Sequence, residues 1–332
     1  MSVIGVDQTS ARGLERPRAI SRGRSGADRA YRGVATGAGL LTLVILFLIG
    51  LFLLIRSLPA FRLMGWAFFT TSTWEPDGIK HQFGVAAVLY WTFIIAIVAL
   101  VIAVPISIAC ALFINEYASR RFRRPLTAVV DLLAAIPSVI YGIWGLVFLQ
   151  PHLVAVSAWL STNLGFIPIF KTSGVNYTGS AFIAGVVVSL MVMPICTSVM
   201  REVFSQTPPG EKEAALALGA SRWGMIRAVV LPFGRGGIIG GAMLGFGRAL
   251  GETIAVALII STFFMVSPEI LSGQGANSVA ALIALYFGEA SQTYGIPALM
   301  AAGLTLFAVT LLVNFMASLV VARSRSGKGV EI

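Results

Sequence analysis

Thr207-Pro208-Pro209-Gly210-Glu211-Lys212-Glu213-Ala214-Ala215-Leu216-Ala217-Leu218-Gly219-Ala220-Ser221 is a polar island in a chain built mainly of apolar runs. Thr followed by Pro starts a helix, because proline lacks an N–H that the first turn leaves unbonded anyway. Gly219 is a helix-stop residue, so two to three turns are expected between them. Ser221 can cap a second helix running through Met225, Ile226 and Val229 to Leu231-Pro232, where Pro232 should end it. A short exposed helix stopped by glycine makes a knob. Its small residues Ala214 and Ala215 let another protein approach closely, and Glu211 and Glu213 sit near its positive end. The same pattern also suits a plain connecting hairpin.

The surroundings of this island decide the fold class. Of 332 residues, 57% are apolar and only 11% charged, which excludes a water-soluble globule, a collagen-like chain and a disordered one. A bilayer core takes about 20 apolar residues per helix. Runs of that size cover Val34 to Ile55, Gln82 to Asn115 with Pro105 inside, Thr172 to Met200, Gly236 to Phe264 and Ala290 to Ala322. Leu132 to Phe170 is too long for one span, and Pro151 suggests a helix up to about Leu149 followed by an interfacial segment. Ile270 to Gly288 opens with polar residues and reads as a short interfacial helix. The expectation is an all-α polytopic membrane protein with six spans.

Charge sets the orientation. With six spans, one side collects 19 of the Lys and Arg residues and the other only four, Arg56, Arg62, Lys80 and Lys171. The positive-inside rule then puts both termini in the cytoplasm. The domains expected are a basic, disordered tail over 1–32, a membrane domain over 33–322 with a cytoplasmic loop at about 203–232, and a tail over 323–332. The arginines of the first tail suit a strip beside anionic lipid, and no nucleic-acid partner is expected. Cys110 and Cys196 lie inside apolar runs, and His81 and His152 lie far apart in the sequence, so no metal site is expected.

The fifth run carries glycines at four-residue spacing, Gly237, Gly241 and Gly245, and again Gly247 and Gly251. Such a stripe lets helix backbones meet closely. It also carries Arg248 and Glu252, which share a face if the helix is continuous. Intramembrane charges are costly. The two either brace each other as a structural pair or line a substrate path. In the second case Arg248 offers planar donors to a tetrahedral oxyanion. A carboxylate beside it can accept a hydrogen bond from phosphate, which keeps a proton near neutral pH, and repel sulfate, which does not.

Glu213-Ala214-Ala215, then Gly219, Val229 and Leu231-Pro232 resemble the EAA loop of ABC-importer permeases, with Val229 where that family usually has Ile. Arg248-Ala249-Leu250-Gly251-Glu252-Thr253 resembles the RALGET motif of phosphate-importer permeases. Leu133-Ala134-Ala135-Ile136-Pro137-Ser138-Val139-Ile140-Tyr141-Gly142 and Phe113-Ile114-Asn115-Glu116-Tyr117 are similar to other segments of that family, and Ile254-Ala255-Val256 points to its PstC type. The resemblance implies a type I ABC-importer permease in a bacterial inner membrane, importing inorganic phosphate. It implies as partners a homologous PstA-type permease, a dimer of ATPase subunits and an extracytoplasmic phosphate-binding protein. Glu211, Glu213, Ala214, Ala215, Gly219, Leu231 and Pro232 would couple to the ATPase, and Arg248 and Glu252 would line the pathway. Asp131 is a further pathway candidate or else a solvated helix-end charge, and Ser138 is another. No GxxxxGK[ST] occurs, so ATP and Mg are expected on the ATPase and no cofactor on this chain. The alternatives are a permease for another oxyanion, molybdate or sulfate, and an ion-coupled secondary transporter, which would need no ATPase.

Overall fold

The computed structural model describes residues 26–273 and 276–323. Most of the expected N-terminal tail and all but Arg323 of the C-terminal one lie outside these residues.

The backbone divides into two units, residues 1–49 and 50–332. The described part of the first is the start of helix α1, Gly26–Met64, so residues 26–32 of the expected tail are helical. Its Leu40, Leu43, Phe47 and Ile49 are exposed, as a helix solvated by lipid requires. The second unit begins within α1 at Gly50. There follow α2 (Ala67–Thr70) and an antiparallel hairpin of β1 (Trp74–Glu75) and β2 (Gln82–Phe83), with Trp74 opposite Phe83. Helix α3 (Ala86–Leu112) is extended by a π-turn, Phe113–Tyr117. Next come α4 (Arg120–Ala135), α5 (Ser138–Trp144), a second π-turn (Gly145–Leu149) and α6 (Gln150–Leu164).

The long central helix is α7, Ala181–Ser205. Small and β-branched residues on it, Ala184, Val187, Val188 and Val192, are fully buried. Gly185 lets α3 come so close that an added methyl would lie 2.5 Å from Val98. Ser107 of α3 donates to the Met193 carbonyl at 3.0 Å. The chain then forms α8 (Pro209–Ala217), α9 (Arg222–Met225), a third π-turn (Ile226–Val230) and α10 (Leu231–Phe233). It continues as α11 (Arg235–Leu250), α12 (Ile254–Ile259), α13 (Val279–Tyr286) and α14 (Gly295–Arg323).

Among the described residues, five helical segments are long and apolar enough to span a membrane, and six are if the α9–α11 stretch, bent by 65°, is one span. The expected number of spans therefore holds, but several boundaries do not. Ser138–Leu164 is one 27-residue helical segment that runs straight past Pro151. Pro151 sits in the first turn of α6, directly after a π-turn. The wider turn there makes room for a ring that would clash in an unbroken α-helix. No interfacial segment starts at Leu149. The fourth span begins at Ala181 rather than Thr172, capped by the Ser180 hydroxyl.

The helix before the fifth span ends at Phe233, and the bend falls at Gly234 rather than at Pro232. The fifth run is not one helix to Phe264. It breaks after Leu250 and again after Ile259, and the chain beyond is extended. That extended stretch is pinned on α3, where Trp91 donates to the Met265 carbonyl at 2.7 Å and Tyr90 to that of Ser267 at 3.0 Å. The short helix expected within Ile270 to Gly288 is α13. Its Val279, Ala281 and Leu282 are buried against protein instead of lying on a lipid surface.

Candidate functional site

Two places gather the residues singled out by the sequence. The first is the α8–α9 hairpin. Pro209 opens α8, and Gly219 closes it with φ +85°. Ala220 N–H donates to the Ala215 carbonyl at 3.2 Å and Gly219 N–H to that of Leu216 at 3.0 Å. This pair of bonds is the Schellman cap, which needs a left-handed residue in the Gly219 position. The Ser221 hydroxyl then accepts from Gly224 N–H at 3.1 Å and starts α9, as expected. Glu211, Glu213 and Ala214 are exposed, whereas Ala215 and Leu231 pack on the main core and Pro232 is exposed. Glu211 lies in the first turn of α8, and Glu213 lies beyond it.

Three apolar side chains on this hairpin were not picked out from the sequence. Leu216, Leu218 and Trp223 are exposed, Leu218 to 89%. Their signal was available: large apolar residues in a short capped hairpin have nothing of their own to cover. Lys212, by contrast, is turned inward. Its Nζ lies 2.6 Å from Glu116 Oε1, in the π-turn that ends α3.

The second place is the break in the fifth span. Gly237 abuts Val203, Gly241 abuts Cys196 and Met200, and Gly245 abuts Cys196 and Val192, so the first glycine stripe seats α11 on α7. Cys196 donates to the Gly241 carbonyl at 3.1 Å along the same seam. Gly247 looks instead toward Asn314 on α14.

Arg248 lies in the last turn of α11 and is exposed. Gly251 caps that helix, and Glu252 follows it before α12 begins. The shared helix face expected of Arg248 and Glu252 is therefore absent, because the helix ends between them. Among the described residues the ion pairs are Arg201–Asp131 and Lys212–Glu116, and neither involves Arg248 or Glu252. Glu252 is buried, with Oε1 3.5 Å from Ala255 N at the start of α12.

Both charges line one cavity of about 480 Å³, together with Ile195, Leu244, Gly247, Gly251 and Asn314. Gly247 and Gly251 keep its wall free of side chains, and Asn314 adds an amide that the sequence reading did not include. Helix α12, which begins just after Glu252, lies against α5. A methyl at Gly142 would come within 2.8 Å of the Ala255 backbone, so glycine there permits α12 to lie against α5. Tyr141, next to it, is within electrostatic reach of Arg248 and donates to the Leu133 carbonyl at 3.0 Å.

Asp131 and Ser138 are not part of this cavity. Asp131 is not at a helix end. It lies on α4, half-exposed, 3.9 Å from Arg201. There it helps line a separate cleft of about 420 Å³ with Arg123, Arg124 and Asn115. Ser138 is the first residue of α5 and lines neither cavity.

The arrangement at the break can do a limited set of things. It offers a guanidinium, a carboxylate and an amide around a space open on one side, with two glycines giving close backbone approach. That suits holding a small hydrogen-bonding anion while it passes. It offers no nucleophile and base in reach of each other, and among the described residues no cluster of three or more metal ligands.

Residues 103–326 match the family model of the binding-protein-dependent transport system inner membrane component. The chain is 42% identical over 290 residues to the phosphate transport system permease protein PstC 2 of Mycobacterium bovis, which covers 86% of this chain and 89% of that one. It is 38% identical over 306 residues to the phosphate transport system permease protein PstC of Xylella fastidiosa, covering 91% and 93%. Among solved structures, a bacterial ABC transporter involved in the import of the acidic polysaccharide alginate shares the fold, with a TM-score of 0.55, 20% identity, and coverage of 90% of this chain and 98% of that one. The broken fifth span and the capped hairpin thus sit on a type I importer-permease scaffold, and the chain belongs to the family of binding-protein-dependent transport system inner membrane components.

Proposed function

We propose that this chain is the membrane-spanning subunit of an ATP-driven importer of inorganic phosphate. The observation that carries the substrate is the pairing of Arg248 and Glu252 at one 480 Å³ cavity in the broken fifth span, in a chain whose relatives are named for phosphate transport. Arg248 supplies planar N–H donors to the phosphate oxygens. Glu252, held at the start of α12, accepts the hydrogen bond of the protonated phosphate oxygen, which sulfate cannot offer. The chain is a transport subunit and no enzyme. ATP and Mg are used by a separate ATPase dimer, which docks on the α8–α9 hairpin through exposed Leu216, Leu218 and Trp223 beside Glu211 and Glu213.

Exposed Leu244 lines the cavity, and on α14, which contributes Asn314 to it, Leu311, Leu312, Phe315 and Met316 are exposed as well. A homologous PstA-type permease fits that face and completes the pathway. The subunit sits in a bacterial cell membrane with both termini in the cytoplasm, as the positive-inside rule places the arginine-rich loops. An extracytoplasmic phosphate-binding protein delivers the substrate to the opposite end, where the β1–β2 hairpin and α13 lie. Closure of the ATPase dimer moves the hairpin, and the bundle opens outward to receive phosphate.

The test is purification of the chain with its partners from its own membrane, followed by uptake into liposomes. ATP-dependent phosphate uptake that excess sulfate or molybdate leaves unchanged is expected. Uptake that follows another oxyanion, or that runs on an ion gradient without ATP, would overturn the reading.

A further inference from the structure

The π-turn Phe113–Tyr117 sits at the end of α3 that meets the α8–α9 hairpin, and it holds both helices of that hairpin. Glu116 Oε1 meets Lys212 Nζ of α8 at 2.6 Å, with the two side chains only 8% and 20% exposed. The next residue, Tyr117, carries the Arg222 guanidinium of α9 over its ring at 5.5 Å. We propose that Glu116 and Tyr117 are positioning residues that clamp the hairpin to the second span, so that hairpin and span move as one body.

The physical case rests on burial. A surface ion pair contributes little, because water screens it and the side chains lose freedom. A pair this enclosed behaves differently, since removing one partner leaves a poorly hydrated charge without its counter-ion. Apart from the clamp, α8 touches the core mainly through Ala215, a single methyl. A push on α8 without the clamp can therefore rotate it in place. With the clamp, the push acts on α3, which lies along α7 through Gly185 and Ser107. Helix α7 in turn carries α11 and Arg248 on its glycine seam. Lys212 is one residue from the exposed Glu213, so the helix presents one side to its partner and anchors the other.

This inference rests on the reading of α8 as the ATPase-coupling helix. It is tested in the purified complex in liposomes, with phosphate uptake and ATP hydrolysis measured on the same preparation. Glu116→Gln and Lys212→Met should assemble and hydrolyse ATP, yet move about tenfold less phosphate per ATP, as expected for a broken buried pair. The exchange Glu116→Lys with Lys212→Glu should return the ratio to within about twofold of the parent, because a pairwise interaction is restored. Parental ratios in both single variants, or an exchange no better than the worse single variant, would overturn the clamp. Glu213→Cys in the otherwise parental chain reports separately on the coupling reading, and that cysteine should cross-link to the ATPase. Failure of that cysteine to cross-link to the ATPase would overturn the reading of α8 itself, whatever the clamp variants do.

Discussion

Replacing Gly219 separates backbone conformation from contact, because nothing crowds the position. Gly219 has φ +85°, and no atom lies within 4 Å of where a Cβ would sit. Gly219→Ala therefore adds no clash, and its whole effect is the cost of a left-handed backbone for a residue with a Cβ. That cost is about 1–2 kcal/mol. It lowers the population of the capped hairpin relative to frayed forms by about 5- to 30-fold. Gly219→Val, with its branched Cβ, should be at least as poor, and Gly219→Asn should stay close to the parent, since asparagine tolerates this region. The assay is phosphate taken up per ATP hydrolysed by the purified complex in liposomes, with assembly checked alongside. The expected order is glycine, then asparagine, then alanine, then valine, with the membrane bundle folded in all four. A parental ratio in Gly219→Val would refute the reasoning, and so would Gly219→Asn as poor as Gly219→Val.

Two further outcomes follow from positions far from the hairpin. Gly142→Ala should push α12 away from α5, since the new methyl would lie 2.8 Å from the Ala255 backbone, and should lower phosphate uptake without preventing assembly. Undiminished uptake in that variant would show that the placement of Glu252 does not depend on this contact. At the opposite end, burial alone would raise the Asp77 carboxyl, but hydrogen bonds from the Ser291 hydroxyl and amide and from Gly295 N–H, with the charge of His81, hold it below the ordinary 3.8. A depressed carboxyl stabilises the fold above its unfolded value and loses that effect as pH falls through its folded value. Hydrogen-exchange protection of residues 287–296 should thus be unchanged between neutral pH and about pH 5 and fall only below the usual carboxylate range. Loss of protection between those two values would contradict the assignment, and Asp77→Asn should show reduced protection even at neutral pH.

What the sequence made legible was chemistry that acts locally. The Thr207-Pro208 pair, Gly219 and Ser221 each dictate backbone within a few residues of themselves, and the hairpin they predict is the one observed, with α8 starting one residue on at Pro209. The glycine stripe was readable for the same reason, since four-residue spacing on a helix fixes a face, and Gly237, Gly241 and Gly245 all meet α7. The break at Gly251 was not readable, because the mainly apolar run from Gly236 to Phe264 is long enough for one span and its two charges, Arg248 and Glu252, do not mark a helix end. Hydropathy counts residues and does not detect a helix ending. The four-residue spacing of Arg248 and Glu252 therefore suggested a shared face that the fold does not contain. Pro151 misled in the opposite direction, since a π-turn absorbs a proline that local rules read as a stop. Lys212 and Glu116 are 96 residues apart, and only the packing of α8 beneath α3 makes them partners. Asn314 passed unremarked because a single amide in an apolar run has no local signature of the cavity it faces.

The central claim is that Arg248 and Glu252 handle phosphate instead of bracing each other, and their separation by the helix break already argues against a mutual brace. The direct measurement is ATP-driven phosphate uptake by a complex carrying Arg248→Gln together with Glu252→Gln, compared with Arg248→Lys and the parent at equal assembly. The account predicts a double variant that assembles normally and does not transport. It predicts that Arg248→Lys is also impaired, because a point charge cannot replace a planar fork of donors. A correctly assembled double variant that takes up phosphate at a rate close to the parent would contradict it.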